Sequence, residues 1–340
     1  MLQKETILRI KNVYTTSAFQ TKKGMYIGAG SETEPTVYLY DLEKGSSSRV
    51  DGCPGGMMSF LPVPGHPDHF VSIMGLFPPF IGKEAGLFLH RRNEHGWETK
   101  KAIALPFAHR CEFLERSGSV FLVLASVSRD KVNPADWSQP GETWIIPMDE
   151  IPSGAWHAEL IDSGTFRNHG MTKTRIDGNE TVCISGAEGI FAVDRDRDDR
   201  WVMRQQFDRE VSEMVFTDLD GDGNNELVTI EPFHGTTLNI YKKQQGEWDL
   251  KFSDTLAFGH GLSGGMFNGE PVIIAGNRSD SLALELYAIK DLSAGRVHKK
   301  VLEENAGPTQ TQVFSFRSQD YIMSANQRKN EVALYTGIIQ

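Results

Sequence analysis

The sequence predicts an all-β chain folded as one seven-bladed β-propeller of four-stranded antiparallel blades. Three observations lead there. First, apolar runs of one format recur along the 340 residues: "TVYLYD" ending at Asp41, "GLFLHR" at Arg91, "TWIIPM" at Met148, "GIFAVD" at Asp194, "TLNIYK" at Lys242, "LALELY" at Tyr287 and "EVALYT" at Thr336. Propeller blades repeat every 40 to 50 residues or so, and these runs keep close to that period. Second, each run follows another β-branched run and most precede a polar turn and a fourth run, with almost nothing at helical spacing. Third, the ends are complementary. The last unit supplies three strands and stops, while "KETILRI" near the start has no partner of its own. Residues 4–10 are therefore expected to be the outer strand of the blade formed by 308–338, which removes an open sheet edge. One blade alone would expose its apolar faces; stacking in a ring buries them, so 1–340 reads as a single domain.

Composition narrows the partners. The formal charge is -10, with 35 Lys and Arg against 45 Asp and Glu. Nonspecific binding to nucleic acid or an anionic membrane needs clustered cations, so neither is expected. Cys53, Cys111 and Cys183 are odd in number and far apart, which suits buried reduced thiols better than a disulfide framework or a zinc ribbon. The opening "MLQKETILRIKN" has no apolar core of a signal segment, so the chain as written is expected in the cytoplasm. A mature secreted form would read the same.

The stretch "FTDLDGDGNNELVTIEPFHGTTLNIYKK", from Phe216, is the most distinctive. Asp218, Asp220 and Asp222 alternate, followed by Asn224 and Glu226, and the glycines between them permit a tight loop around a hard cation. No bidentate Glu stands at the twelfth loop position and β-runs flank the loop, which disfavours a helical calcium hand. This turn resembles the FG-GAP/VCBS repeat, a calcium-loop blade unit, and the resemblance implies a structural Ca2+ held by Asp218, Asp220, Asp222, Asn224 and Glu226. It covers one blade only; the equivalent turns "ERSGS", "RIDGNE", "FNGE" and "RSQD" lack the acids. An acidic turn bonding its own amides is the alternative.

Propeller topology then sorts the loops. With strands named A to D from the axis outwards, the A–B and C–D turns open on one face, and the B–C and D–A loops on the other. The acidic turn, His66, His69 and His95 fall on the first face. The second face collects His109, Arg110, Asn168, His169, Glu213, Glu231, His234, His260, Arg278, Gln327 and Arg328. Two long B–C loops add Phe77, Phe80, Lys131 and Trp137 as a wall or lid, since long loops on a rigid scaffold commonly carry binding. Any one histidine can simply bond the next blade, and either arginine can pair with a junction carboxylate. The convergence of four imidazoles and several guanidiniums on one rim is the functional signal.

No nucleophile elbow, phosphate loop, dinucleotide fingerprint or HExxH motif is present. Imidazole plus guanidinium suits proton abstraction beside a carboxylate: Arg neutralises the acid, His takes the α-proton and a linked sugar departs. In architecture and residue types the chain resembles the His-rich propeller polysaccharide lyases, some of which carry a metal. That resemblance implies a carbohydrate-active lyase cleaving a uronate-containing oligosaccharide. His169 or His109 would be the base, Arg110 and Arg278 would hold the carboxylate, and His234 and His260 would be auxiliary acids or ligands of a transition metal at the channel mouth. Trp137 would be a sugar platform, with Asn168, Glu231, Gln327 and Arg328 completing the substrate site. A noncatalytic sugar- or protein-binding propeller, and a metal-dependent lactonase or isomerase using Glu231, are the alternatives.

Overall fold

A short first strand, β1 (Leu2–Arg9), leads into seven repeating groups. The first two blades are β2 (Val13–Thr21), β3 (Gly24–Ser31), β4 (Val37–Asp41) and β5 (Ser46–Val50), then β6 (Ser59–Pro62), β7 (His69–Met74), β8 (Gly86–Asn93) and β9 (Gly96–Ala104). The third and fourth are β10 (Ala108–Arg116), β11 (Ser119–Ser126), β12 (Thr143–Pro147) and β13 (Glu159–Asp162), then β14 (Met171–Ile176), β15 (Asn179–Gly186), β16 (Gly189–Arg195) and β17 (Trp201–Phe207). The fifth and sixth are β18 (Glu213–Thr217), β19 (Glu226–Glu231), β20 (Thr237–Gln244) and β21 (Glu247–Thr255), then β22 (Gly259–Phe267), β23 (Glu270–Asn277), β24 (Leu284–Asp291) and β25 (Arg296–Glu303). The seventh holds β26 (Pro308–Phe316), β27 (Gln319–Asn326) and β28 (Glu331–Gly337). The structure, a computed structural model, describes residues 2–78, 82–148, 156–176 and 178–339. Phe80 lies outside the described residues.

Each group is one four-stranded antiparallel sheet in chain order, and the seventh is completed by β1 in the order β1-β28-β27-β26. The seven-bladed propeller expected from the repeat is therefore present, with the first strand as the outer strand of the last blade. The registers run from Leu2 opposite Gly337 to Arg9 opposite Glu331, so Ile10 falls just beyond the strand.

The apolar runs fill the spaces between blades. Val228, Ile230 and Ile240 of the fifth blade pack with Ile273, Ala275 and Tyr287 of the sixth. Val123 and Ile145 of the third meet Val182, Ile184 and Val193 of the fourth. The third strands of the first, fifth, sixth and seventh blades share a buried tyrosine, and a hydroxyl must find an acceptor once it leaves water. Tyr241 donates to Glu231 at 3.0 Å, Tyr287 to Glu285 at 2.9 Å, and Tyr335 to Glu303. In the second blade His90 stands there instead, with Nε2 2.8 Å from Ser72 Oγ and Nδ1 3.0 Å from Thr99 Oγ1.

Ring closure carries an ion network. Lys4 of β1 reaches Glu303 at 2.6 Å and also Glu331, which accepts from Thr6 Oγ1 at 2.8 Å. Burial alone would push both carboxyls up, but the bonds from Lys329 and Lys4 to Glu303, and from Lys4 and Thr6 to Glu331, hold them below the usual range. Replacing Lys4 by Met leaves two largely buried carboxylates short of a donor. The expected loss is about 2 kcal/mol of stability, read from urea unfolding.

His90 gives a pH dependence. Burial pulls it down to about 3, whereas an unfolded histidine titrates near 6.5 or so. Between those values the unfolded chain binds the extra proton, so stability falls as pH is lowered through that window. His90→Gln is expected to flatten that part of the plot of denaturation midpoint against pH.

Candidate functional site

Why do side chains at the ends of the inner strands face the axis at all? At four of the seven entrances a β-bulge re-aims them. The registers of the inner strands slip between Val13 and Thr15, Ala108 and Arg110, Gly259 and Leu262, and Pro308 and Thr311. Tyr14, His109, His260 and Thr309 occupy the slips, and bulges commonly redirect a side chain in this way beside functional sites.

The bulged and entrance residues then lock to the next blade. His109 Nδ1 donates to His169 O at 3.2 Å, His169 Nδ1 to Ser212 O at 3.2 Å, and His260 Nδ1 to Thr309 O at 2.8 Å. A carbonyl only accepts, so Nδ1 carries the proton in each ring and the lone pair sits on Nε2. His234 arrives from the loop after β19. Its backbone is left-handed at φ 47°, and the following Gly235 has no room for a Cβ against Glu231 O. That tight turn brings His234 Nε2 to 3.2 Å from His169 Nε2. One nitrogen from each of His169, His234 and His260 lies within 4.8 Å of the others. Tyr14 Oη sits 3.0 Å from His260 Nε2.

Beneath the rings lies a buried ion pair. Arg110 Nη2 is 2.7 Å from Glu213 Oε1, with side chains only 12% and 11% exposed. The same guanidinium donates from Nη1 to Met58 O at 3.3 Å and from Nε to His169 O at 3.4 Å. Glu213 Oε1 also receives His169 Nδ1 at 3.0 Å. One arginine thus ties the entrances of the second to fifth blades. Burial pushes the Glu213 carboxyl up, but the Arg110 charge and the His169 bond outweigh it and hold it below the usual range. Burial first, then the neighbouring cations and imidazoles, pulls His109 and His260 well down and His234 to about 2. His109, His234 and His260 are therefore neutral at pH 7, the form a metal ligand takes, and the last two belong to the three-imidazole group. Neutral rings are poorly suited to act as proton donors. Zinc bonds of 2.0 to 2.1 Å or so set a tetrahedral ligand–ligand edge of about 3.3 Å, close to the 3.2 Å between His169 and His234.

An aromatic wall flanks the cluster. Phe233 stacks on His234 with centroids 4.0 Å apart, Phe258 lies 4.7 Å from the same ring, and Trp137 meets Phe233 at 4.9 Å. Phe258 is 39% exposed. Lys131 Nζ lies 3.3 Å from the Trp137 ring centroid, so that face of the indole carries an ammonium, which burial pulls down to about 8. Across the cluster, Arg278 lies 5.8 Å from the Tyr14 ring and bonds Gln327, whose amide donates to Glu32 at 2.7 Å. Arg110, Glu213 and His260 also line one end of an axial channel of about 240 Å³, with Thr309, Gln310 and Gly264 along its walls.

The structure therefore gathers His109, Arg110, His169, His234 and His260, with Arg278, Gln327 and Trp137 around them. It places others elsewhere. Asn168 is buried and bonds Thr143 Oγ1 of the third blade at 3.1 Å. Glu231 takes Thr229 Oγ1 at 2.5 Å and Tyr241 Oη at 3.0 Å. Arg328 is exposed, its stem over Gly307. Arg110 faces Glu213 rather than open space. On the opposite face, Asp218 accepts the amides of Gly221 at 2.7 Å and Gly223 at 2.9 Å, and Glu226 accepts that of Leu219 at 2.7 Å. Asn224 bonds Asp222, and the Lys242 ammonium lies against Asp220, 2.7 Å from Asp222 and 3.6 Å from Glu226. Lys242 already supplies a positive charge among these acids.

Tyr14, Phe233 and Phe258 did not emerge from the loop sorting. Tyr14 had a signal: it opens the first inner strand where His109 and His260 open theirs.

No family model matches the sequence, and no curated protein does. Solved structures share the fold. A streptogramin B lyase matches at TM-score 0.58 and 11% identity, over 98% of this chain and 97% of that one. A candidate 6-phosphogluconolactonase from Bacteroides uniformis matches at 0.57 and 11%, over 96% and 91%. The extracellular domain of a two-component system from B. thetaiotaomicron matches at 0.62 and 9%, over all of this chain and 40% of that one. At such identities the likeness shows the propeller and nothing finer.

Arg110→Met would strand the buried Glu213 carboxylate and cost about 3–5 kcal/mol. Adding Glu213→Gln should recover part of that loss, as measured by thermal and urea unfolding of both variants.

Proposed function

We propose that the chain is a metal-dependent lyase that cleaves a uronate-containing oligosaccharide by β-elimination at the axial histidine cluster. The observation that carries this reading is the convergence of three imidazole nitrogens, with the opposite nitrogens of His169 and His260 fixed by acceptors of the next blade. Such outer partners orient metal-ligating histidines and fix their tautomers. A divalent transition metal bound by His169, His234 and His260 would supply a Lewis acid for the substrate carboxylate, making the adjacent α-proton more acidic.

The chain's own residues do the rest. Arg278 stands beside the cluster with one nitrogen on Gln327, leaving the remainder of its fork for the substrate acid. His109 keeps its lone pair on Nε2 because Nδ1 is committed to His169 O, so it is the base that takes the α-proton. The C–H electrons form the double bond, the C4–O bond breaks, and the departing oxygen regains a proton from water. Phe233 and Phe258 offer apolar faces to a sugar ring, and Trp137 supports them with its Lys131 cap. Arg110 and Glu213 position His169 rather than touch substrate. A lyase stands among the structural neighbours, which accords with this reading without adding weight to it.

A metal-dependent lactonase remains the second reading, because the same cluster can polarise a lactone carbonyl. The Glu231 that this reading would use with the histidines faces Thr229 and Tyr241, which weighs against it.

The test is incubation of metal-loaded protein with a panel of uronate-containing oligosaccharides, following the ultraviolet absorbance of the unsaturated product. Turnover is expected, and His109→Ala should lower kcat by about 10²–10⁴-fold while leaving bound metal unchanged. An inactive loaded protein across the panel, or a fully active His109→Ala variant, overturns the reading.

A further inference from the structure

We propose that Tyr14 is a fourth protein donor to the metal centre, so that the site is three imidazoles and one phenolate. This rests on the reading of His169, His234 and His260 as ligands and adds a residue from the far side of the ring seam.

Four observations lead to it. Tyr14 occupies the same bulge as His109 and His260 on its own inner strand, so one backbone device aims all three at the axis. Its Oη lies 3.0 Å from His260 Nε2, the atom that carries the lone pair because Nδ1 is donated to Thr309 O. Among the described residues Tyr14 Oη has no other hydrogen-bond partner. The phenol is buried, with Tyr14 only 2% exposed.

The consequence is geometric. Without metal, Tyr14 donates its proton to the His260 lone pair. A cation takes that lone pair, and the phenol proton loses its acceptor. The oxygen is then about one tetrahedral edge from Nε2, and the edge for bonds of 2.0 to 2.2 Å is about 3.3 Å. A divalent cation bound there would displace the phenol proton to solvent as the O–metal bond formed, against the burial and the Glu32 charge that favour the neutral phenol.

Charge points the same way. Three neutral imidazoles leave a divalent ion uncompensated, and of the nearby carboxylates Glu213 is balanced by Arg110 while Glu32 is held by the Gln327 amide on the Arg278 side. An uncompensated buried charge is expensive. A phenolate lowers the net charge by one and also makes the site more selective for metals that accept a hard oxygen beside imidazole nitrogen.

The experiment is titration of metal-free protein with Cu(II) and Co(II), followed by visible absorbance. Wild type is expected to show a phenolate-to-copper charge-transfer band and an intense four-coordinate cobalt spectrum. Tyr14→Phe should lose the copper band, weaken the cobalt spectrum and bind about tenfold or more weakly. Tyr14→His, which restores a ligand, should recover affinity without the band. Circular dichroism and unfolding midpoints show that each variant is folded. If Tyr14→Phe matches wild type in spectrum and affinity, Tyr14 only bonds His260 and this inference fails while the three-histidine site stands. If wild type binds neither metal, or binds equally well after His169→Ala and His260→Ala, both readings fall.

Discussion

The interaction on which the site depends is small: a ring N–H given to a carbonyl of the neighbouring blade. It is made by His109, His169 and His260, each at the mouth of its own inner strand. A propeller can close with many residues at these positions. Only when Nδ1 is spent on the next blade does Nε2 become an oriented lone pair facing the axis. The same bond joins blade to blade and orients the ring. What holds the mouth together is therefore also what aims its ring nitrogens.

The Arg110–Glu213 pair extends that logic to charge. A buried ion pair is seldom a net source of stability against an apolar alternative. What it supplies here is arrangement. The guanidinium reaches the second, fourth and fifth blades from its seat on the third, and the carboxylate fixes the far side of His169. Around it, neutral imidazoles replace what a charged rim would have been. The rim of the mouth presents imidazole nitrogens there rather than a ring of like charges.

The architecture was legible in the sequence because blade stacking repeats one demand seven times. The middle strands of each blade must be apolar on both faces, so "TVYLYD" and "TLNIYK", both third strands, carry the same imprint. Closure was legible too, because a three-stranded unit and an orphan run can satisfy each other. The site was only half legible. Loop sorting placed His109, His169, His234 and His260 on one face because topology alone decides that. It could not show bulges, which slip the register and turn a side chain to the other surface of the sheet. That is why Tyr14 was passed over, and why Glu231 and Asn168 looked central. Glu231 ends β19 on the ordinary pleat and Asn168 lies in the loop before β14, and both are held within or between blades, Glu231 by Tyr241 and Asn168 by Thr143. Arg110 looked like a substrate clamp because a sequence does not reveal that Glu213, more than a hundred positions away, is its partner.

The seam of the ring has a further meaning for the mouth. β1 and β28, from opposite ends of the described residues, pair there through backbone hydrogen bonds, and Lys4 adds its ion pairs. The cluster draws on blades on either side of that seam, with Tyr14 just after it and His260 shortly before it. A partly assembled arc can hold well-formed sheets yet lack a finished mouth. The geometry of the mouth therefore depends on the seam being shut, and a chain caught open can keep its sheets without that geometry.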